Sequence, residues 1–193
     1  MQGPLLEFIE ALAPRLEKIS PHIVADPRKV GGALMRIYRD TRFSNDKSPY
    51  KTFMAAQFRH AQGKDIHAPG FYIQININET LLGTGIWQPP TDVVGKIRAA
   101  IDANPKAWLK ARDDKKFVSL YGPLAGESLK RPPAGYDKEH PLVEDLNRKD
   151  FAAFRTLKPK DILKKDFVAE AEKTYAASKP LMQFLHDALE LPF

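Results

Sequence analysis

The stretch from Arg36 to Lys51 concentrates the side chains of this sequence that could bind a charged ligand. Four of them stand at alternate positions and would share one face of a β-strand: Arg36, Tyr38, Asp40 and Arg42. Asp40 between two arginines would stay ionised and would orient their guanidinium groups. A guanidinium group can hold a phosphate or a carboxylate through two parallel hydrogen bonds. The spacing therefore predicts an anion-binding surface.

Five further residues could complete this surface. The turn that follows the strand carries Lys47, Tyr50 and Lys51, which would supply its rim. Tyr72 and Gln74 alternate on another predicted strand and would join the same face if the two strands pair. The leading hypothesis is that an anionic small molecule, for example a phosphorylated one, binds among these residues.

Other interpretations stay open at this point. The charged strand could be a salt-bridged ladder with a purely structural role, or it could dock an acidic protein partner. Aromatic residues beside the cations also fit weak binding of single-stranded nucleic acid, although no known nucleic-acid motif is present. Catalysis is open too. An ionised Asp40 is a poor general base, so an enzyme would need Tyr38 or Tyr72 to be activated by the cations.

The positive charge of the chain is concentrated in the same region. Residues 28–64 carry nine Lys or Arg against two Asp, which gives a net charge of +7. The whole chain carries 30 Lys or Arg against 24 Asp or Glu, a net charge of +6, so the remainder sums to −1. This local basic patch fits an anionic partner.

Composition excludes several classes of protein. The 193 residues contain no cysteine, which excludes disulfides and thiolate metal sites. The five His residues are scattered, and the sequence predicts neither a metal site nor a cofactor. No apolar run approaches the roughly 20 residues that cross a bilayer, and the N-terminus has no signal-peptide pattern. We therefore expect a cytoplasmic protein that does not enter the membrane.

Hydrophobic periodicity predicts the elements that position these residues. Helices are expected over 5–19, from Thr91, around Trp108, and from Asp166 with a kink or split at Pro180. Alternation predicts strands over residues 34–43, 52–59, 71–77 and 81–87, with a return to the sheet at 151–157. Trp87 and Trp108 are expected to be core or helix-docking residues. The pattern favours one α+β domain over residues 1–193, in which helices from both ends of the chain pack a mixed or mainly antiparallel sheet of four to five strands.

Residues 36–51 read Arg-x-Tyr-Arg-Asp-Thr-Arg-Phe-Ser-x-Asp-Lys-x-Pro-Tyr-Lys. This long run resembles a family of conserved proteins catalogued as domain of unknown function 2461. Further similar segments lie at residues 70–75, 83–89, 97–101, 133–141 and 179–185, so the resemblance extends from about residue 5 to the end. It implies an α+β fold and no established activity. Members of the family usually carry an additional N-terminal segment, so the resemblance also implies that such a segment is missing here.

Overall fold

The protein, seen in a computed structural model, is described over residues 3–38, 48–62 and 67–193. The strands in these ranges are β1 (Ile23–Val24), β2 (Met54–His60), β3 (Gly70–Ile75), β4 (Thr80–Ile86) and β5 (Phe151–Leu157). The α-helices are α1 (Gly3–Ile19), α2 (Thr91–Ala103), α3 (Pro105–Arg112), α4 (Lys115–Tyr121), α5 (Val143–Leu146), α6 (Phe167–Ala177) and α7 (Lys179–Ala188). A short 3-10 helix spans Pro159–Leu163.

The five strands form one antiparallel sheet in which spatial order follows chain order. A tight turn joins β3 to β4, and the side-chain oxygen of Asn76 closes it. That oxygen accepts hydrogen bonds from the backbone N–H groups of Asn78 at 2.7 Å and Glu79 at 2.9 Å. The α+β class, the antiparallel sheet and the packing by helices from both ends of the chain are thereby confirmed.

Helices cover one face of the sheet. Alternate strand residues are buried there, among them Phe58, Phe71 and Leu82, and they pack against apolar residues of α1 and α6. A second apolar cluster joins β5 to α2, α3 and α7 around the fully buried Trp108. Burial of each large side chain stabilises the fold by about 1.5–3 kcal/mol. The prediction that Trp108 is a core residue is confirmed.

The final helical segment divides as its sequence predicts. Helix α6 ends at Ala177 and α7 begins at Lys179, with Pro180 in the first turn of α7. Proline has no backbone N–H to continue the α6 hydrogen-bond pattern, but it is tolerated in the first turn of a new helix.

The strand predicted from residue 34 is not continuous over the residues that are described. Two isolated antiparallel pairs occur instead, Leu34 with Ala56 and Tyr38 with Tyr50. Between these pairs, residues 35–37 on one arm face residues 51–55 on the other. Arms of unequal length cannot keep a regular ladder, so the described residues of this hairpin pair at separate points. Residues 39–43 of the predicted strand lie outside the described residues.

Within the described ranges, no helix is long and apolar enough to cross a membrane.

Candidate functional site

The sheet face opposite the helices carries a concave site. Side chains on this face alternate with the core residues, and one row runs across four strands through Gln57, Tyr72, Gly83 and Phe154. A cavity of about 640 Å³ opens here, and all four residues line it. Its size lies in the range of small-molecule sites.

Two glycines of β4 form the floor of the cavity. A Cβ atom on Gly83 would lie 2.9 Å from the ring of Phe154. A Cβ atom on Gly85 would lie 2.1 Å from the backbone oxygen of Phe151, and the φ of Gly85 is +99°. That backbone conformation is one that residues with a Cβ rarely adopt. Close packing of β4 against β5 and the Phe154 ring therefore excludes side chains at these two positions of the cavity lining.

Tyr72 and Gln74 present polar groups along the same wall. The Tyr72 hydroxyl donates a hydrogen bond to Gln74 Oε1 at 2.9 Å. Burial raises the pKa of Tyr72 above its ordinary value, which keeps the phenol neutral. The activated Tyr72 that a catalytic role would need is therefore not favoured. A neutral phenol and the Gln74 amide provide hydrogen-bonding groups rather than a base.

Arg59 supplies positive charge near the end of β2. Its Nε and Nη2 atoms donate to Gln57 Oε1 at 3.1 and 2.9 Å, which holds the guanidinium group beside the cavity. In the described parts of the chain, no carboxylate forms an ion pair with Arg59. The exposed His67 also lines the cavity, and no Asp or Glu occurs among the described residues that line it. The described part of the lining therefore carries positive or neutral groups.

Trp87 forms an aromatic wall with Phe154. Their ring centroids lie 5.5 Å apart in an edge-to-face arrangement, and Trp87 is 50% exposed. The next residue, Gln88, has a φ of 49° and donates its backbone N–H to Asp150 Oδ1 at 2.7 Å, which fixes the chain after Trp87. The prediction that Trp87 is a core residue is wrong. It is a surface residue just beyond the end of β4 at Ile86, and half of its surface is exposed.

The structure brings two of the nine predicted site residues, Tyr72 and Gln74, to this cavity. Asp40, Arg42 and Lys47 lie outside the described residues. The four others are described but do not line the cavity: Arg36, Tyr38, Tyr50 and Lys51. Their membership of one anion-binding face stays a prediction.

These four residues lie at the base of the irregular hairpin. The rings of Tyr38 and Tyr50 pack at a centroid distance of 5.6 Å, and both remain more than half exposed. The Lys51 backbone N–H donates to the Ile37 oxygen at 2.9 Å, and its ammonium group lies 5.4 Å from the centre of the Phe53 ring. Arg36 is exposed. This base thus presents aromatic and cationic groups to solvent.

Most of the described lining was not predicted from the sequence. The residues that matter most to the site are Gln57, Arg59, His67, Trp87 and Phe154. A signal for Trp87 was present, because it follows Gly83 and Gly85 at alternate positions and so continues their face. Gln57 and Arg59 alternate in the same way on β2, but the weak pattern of that strand does not show which face is covered.

Comparison with known proteins identifies a family. The family model described as "Conserved hypothetical protein (DUF2461)" matches residues 1–184 of the 193-residue chain. Searches of curated proteins and of solved structures found no significant match. The description of the family names no activity, so the geometry of the site carries the functional argument. Since the model spans nearly the whole sequence, this chain belongs to the DUF2461 family of conserved hypothetical proteins.

Proposed function

We propose that the cavity on the open face of the sheet binds a small anionic molecule that carries a flat ring. One observation supports this most directly. Arg59 has no described carboxylate partner and lies beside a glycine-floored cavity that is walled by Trp87 and Phe154.

The charge distribution supports an anionic group on the ligand. Gln57 positions the Arg59 guanidinium through two of its nitrogens without neutralising it. Carboxylate and phosphate groups match the planar donors of a guanidinium group. Four cations of the charged stretch, Arg36, Arg42, Lys47 and Lys51, would add to the positive potential at the rim, and Asp40 would orient the two arginines.

The floor and the aromatic wall support a flat ring. Two glycines allow a ligand to approach the backbone of β4 closely. An exposed tryptophan beside this floor offers a face on which a sugar or an aromatic ring can stack. Tyr72 and Gln74 would then meet the polar edge of that ring.

The shape of the site favours a small molecule over an acidic protein partner. The site is concave, whereas docking of a protein needs a flatter and more open surface. A cavity of about 640 Å³ favours a small molecule. Single-stranded nucleic acid could also use the aromatic residues and the cations, and its binding would fall steeply with salt.

A thermal-shift screen at low salt tests the proposal. We would use mononucleotides, sugar phosphates, dicarboxylates and a short RNA, since a ligand at ~100 times its dissociation constant adds about 2.7 kcal/mol of stability. For a chain of this size, the expected rise in melting temperature is roughly 5–10 °C. Compounds with both a ring and an anionic group should give the largest shift.

Three variants make the screen specific. Arg59→Gln and Trp87→Ala should each remove most of the shift, whereas Arg131→Gln, a change at an exposed position away from the cavity, should keep it. The proposal fails if no anion shifts the wild type, or if Arg59→Gln and Arg131→Gln respond to the ligand equally. A shift with RNA alone that vanishes with salt would point to nucleic acid instead.

A further inference from the structure

A second cavity lies beside α2. It has a volume of about 510 Å³. Its lining combines apolar side chains with four charged ones, and it comprises Trp87, Gln88, Pro89, Thr91, Val94, Arg98, Glu127, Leu129, Pro133, Lys149 and Asp150. Apart from Trp87 and Pro89, none of these residues lines the first cavity.

Arg98 is the unusual residue of this second cavity. It is 8% exposed, and its Nη2 atom donates to the backbone oxygen of Arg148 at 2.8 Å. Its Nε atom is buried without a hydrogen-bond partner, and no ion pair to Arg98 occurs within the described residues. A buried cation that is neither paired nor fully hydrogen-bonded is strongly unfavourable, and buried charges in proteins usually have partners.

The nearby carboxylates do not neutralise Arg98. Asp150 is 2% exposed, and its two oxygens accept backbone N–H groups, from Gln88 at 2.7 Å and from Glu127 at 2.9 Å. The Glu127 side chain pairs with Lys149 at 3.0 Å. Arg98 therefore keeps an uncompensated charge, while two carboxylates in the same cavity would repel a ligand with two negative charges.

We propose that the second cavity binds a small monocarboxylate whose carboxylate pairs with Arg98. A carboxylate matches the planar donors of the guanidinium group, and its single charge suits a site that also contains Asp150 and Glu127. The apolar body of the ligand packs against Val94 and Leu129, which line the same cavity. This site is separate from the open sheet face and does not depend on the function proposed for that face.

Titration of ¹⁵N-labelled protein with benzoate, followed by NMR, tests this site. Benzamide is the matched neutral probe, with the same ring and no charge. We expect benzoate to cause saturable shifts of backbone amides around the second cavity, such as those of Leu129 and Lys149. Benzamide should bind more weakly by about tenfold or more, which is the size of effect expected from a hydrogen-bonded charge.

Variants assign the effect to Arg98. Arg98→Met should weaken benzoate binding at the second cavity by about tenfold or more. Lys96→Gln removes an exposed cation of the same helix that lines neither cavity, and it should leave this binding unchanged. If Arg98→Met does not fold, Thr91→Phe serves instead, because Thr91 is exposed and lines the second cavity, so that a larger side chain there blocks access. Two outcomes would contradict the proposal: benzamide binds as well as benzoate, or folded Arg98→Met keeps full affinity for benzoate. In either case the role of Arg98 is structural, through its hydrogen bond to the Arg148 backbone oxygen. Benzoate shifts confined to Tyr72, Gln74 and Gly83 would place binding in the first cavity and overturn the proposal.

Discussion

His186 is a buried titratable residue whose environment opposes protonation. Its Nδ1 atom lies 2.7 Å from the Met182 backbone oxygen, and its Nε2 atom is buried without a partner. Burial lowers the pKa of His186 from 6.5 to about 4, and the neighbouring His60 and His22 act in the same direction. The hydrogen bond to the Met182 backbone oxygen and the charge of Asp187 raise the pKa of His186 without reversing this effect. The imidazole is therefore neutral in the folded protein at pH 7.

This low pKa predicts a loss of stability in acid. Between pH 6.5 and 4 the unfolded chain binds a proton at His186 that the folded chain does not, so the unfolding free energy falls as pH falls. The full contribution of His186 is present above pH 6.5, and about 3 kcal/mol is lost by pH 4. Urea unfolding at a series of pH values measures it.

Two variants isolate this contribution. His186→Phe removes the titration and should flatten the dependence of the unfolding free energy on pH between 6.5 and 4. His67→Gln alters an exposed histidine and should leave that dependence as in the wild type. An unchanged slope in His186→Phe would mean that other groups cause the loss.

At the scale of single residues, alternation along strands accounts for what the sequence could predict. It placed Tyr72 and Gln74 on one face, and they line one cavity. Arg59 and Trp87 were missed because alternation separates the two faces of a strand but does not say which face the helices cover. That depends on packing between elements distant in sequence.

At the scale of elements, β4 contributes to the first cavity through two positions without a side chain, Gly83 and Gly85. Gly83→Ala would bring a Cβ atom against the ring of Phe154, a half-buried side chain that can shift. We expect a cost of about 1 kcal/mol in unfolding free energy. Gly85→Ala would place its Cβ against the backbone of β5 in a strained conformation, so we expect a loss of about 3 kcal/mol or more. Chemical denaturation of the two variants measures the difference.

The difference between the stability losses of Gly83→Ala and Gly85→Ala matters more than either loss alone. Equal losses of stability would mean that β4 and β5 separate easily at Gly85, which would contradict the close packing of the two strands at the floor of the first cavity. Gly83→Ala should also reduce ligand binding in the first cavity, since the displaced Phe154 ring would occupy part of it.

Element prediction succeeded where the local pattern and the pairing agree. The strand predicted at 151–157 is β5, and the break predicted at Pro180 separates α6 from α7. It failed from residue 34, where alternation is clear but the arms of the hairpin have unequal lengths. Pairing depends on both arms, and a pattern along one arm cannot reveal such a mismatch.

At the scale of the whole molecule, two apolar clusters share their supporting elements. One cluster contains Leu12 of α1, and the other contains Trp108 and Ile101. Strand β4 contributes Leu82 to the first cluster and Ile86 to the second, and α7 is divided between them in the same way, with Met182 in the first and Leu185 in the second. Neither cluster can lose its structure without disturbing elements of the other.

We therefore predict that the chain unfolds as one cooperative unit, in keeping with the single domain expected from the sequence. In a Trp87→Phe background, fluorescence reports only on the fully buried Trp108 of the second cluster. Leu12→Ala, a change in the first cluster, should destabilise the protein by about 2–5 kcal/mol. In one cooperative unit it should shift the Trp108 transition as far as it shifts the loss of helix seen by circular dichroism.

Ile101→Ala in the second cluster is the matched variant and should shift both signals together as well. If Leu12→Ala moved the circular dichroism transition but not the Trp108 transition, the two clusters would be independent units and the single-domain interpretation would be wrong.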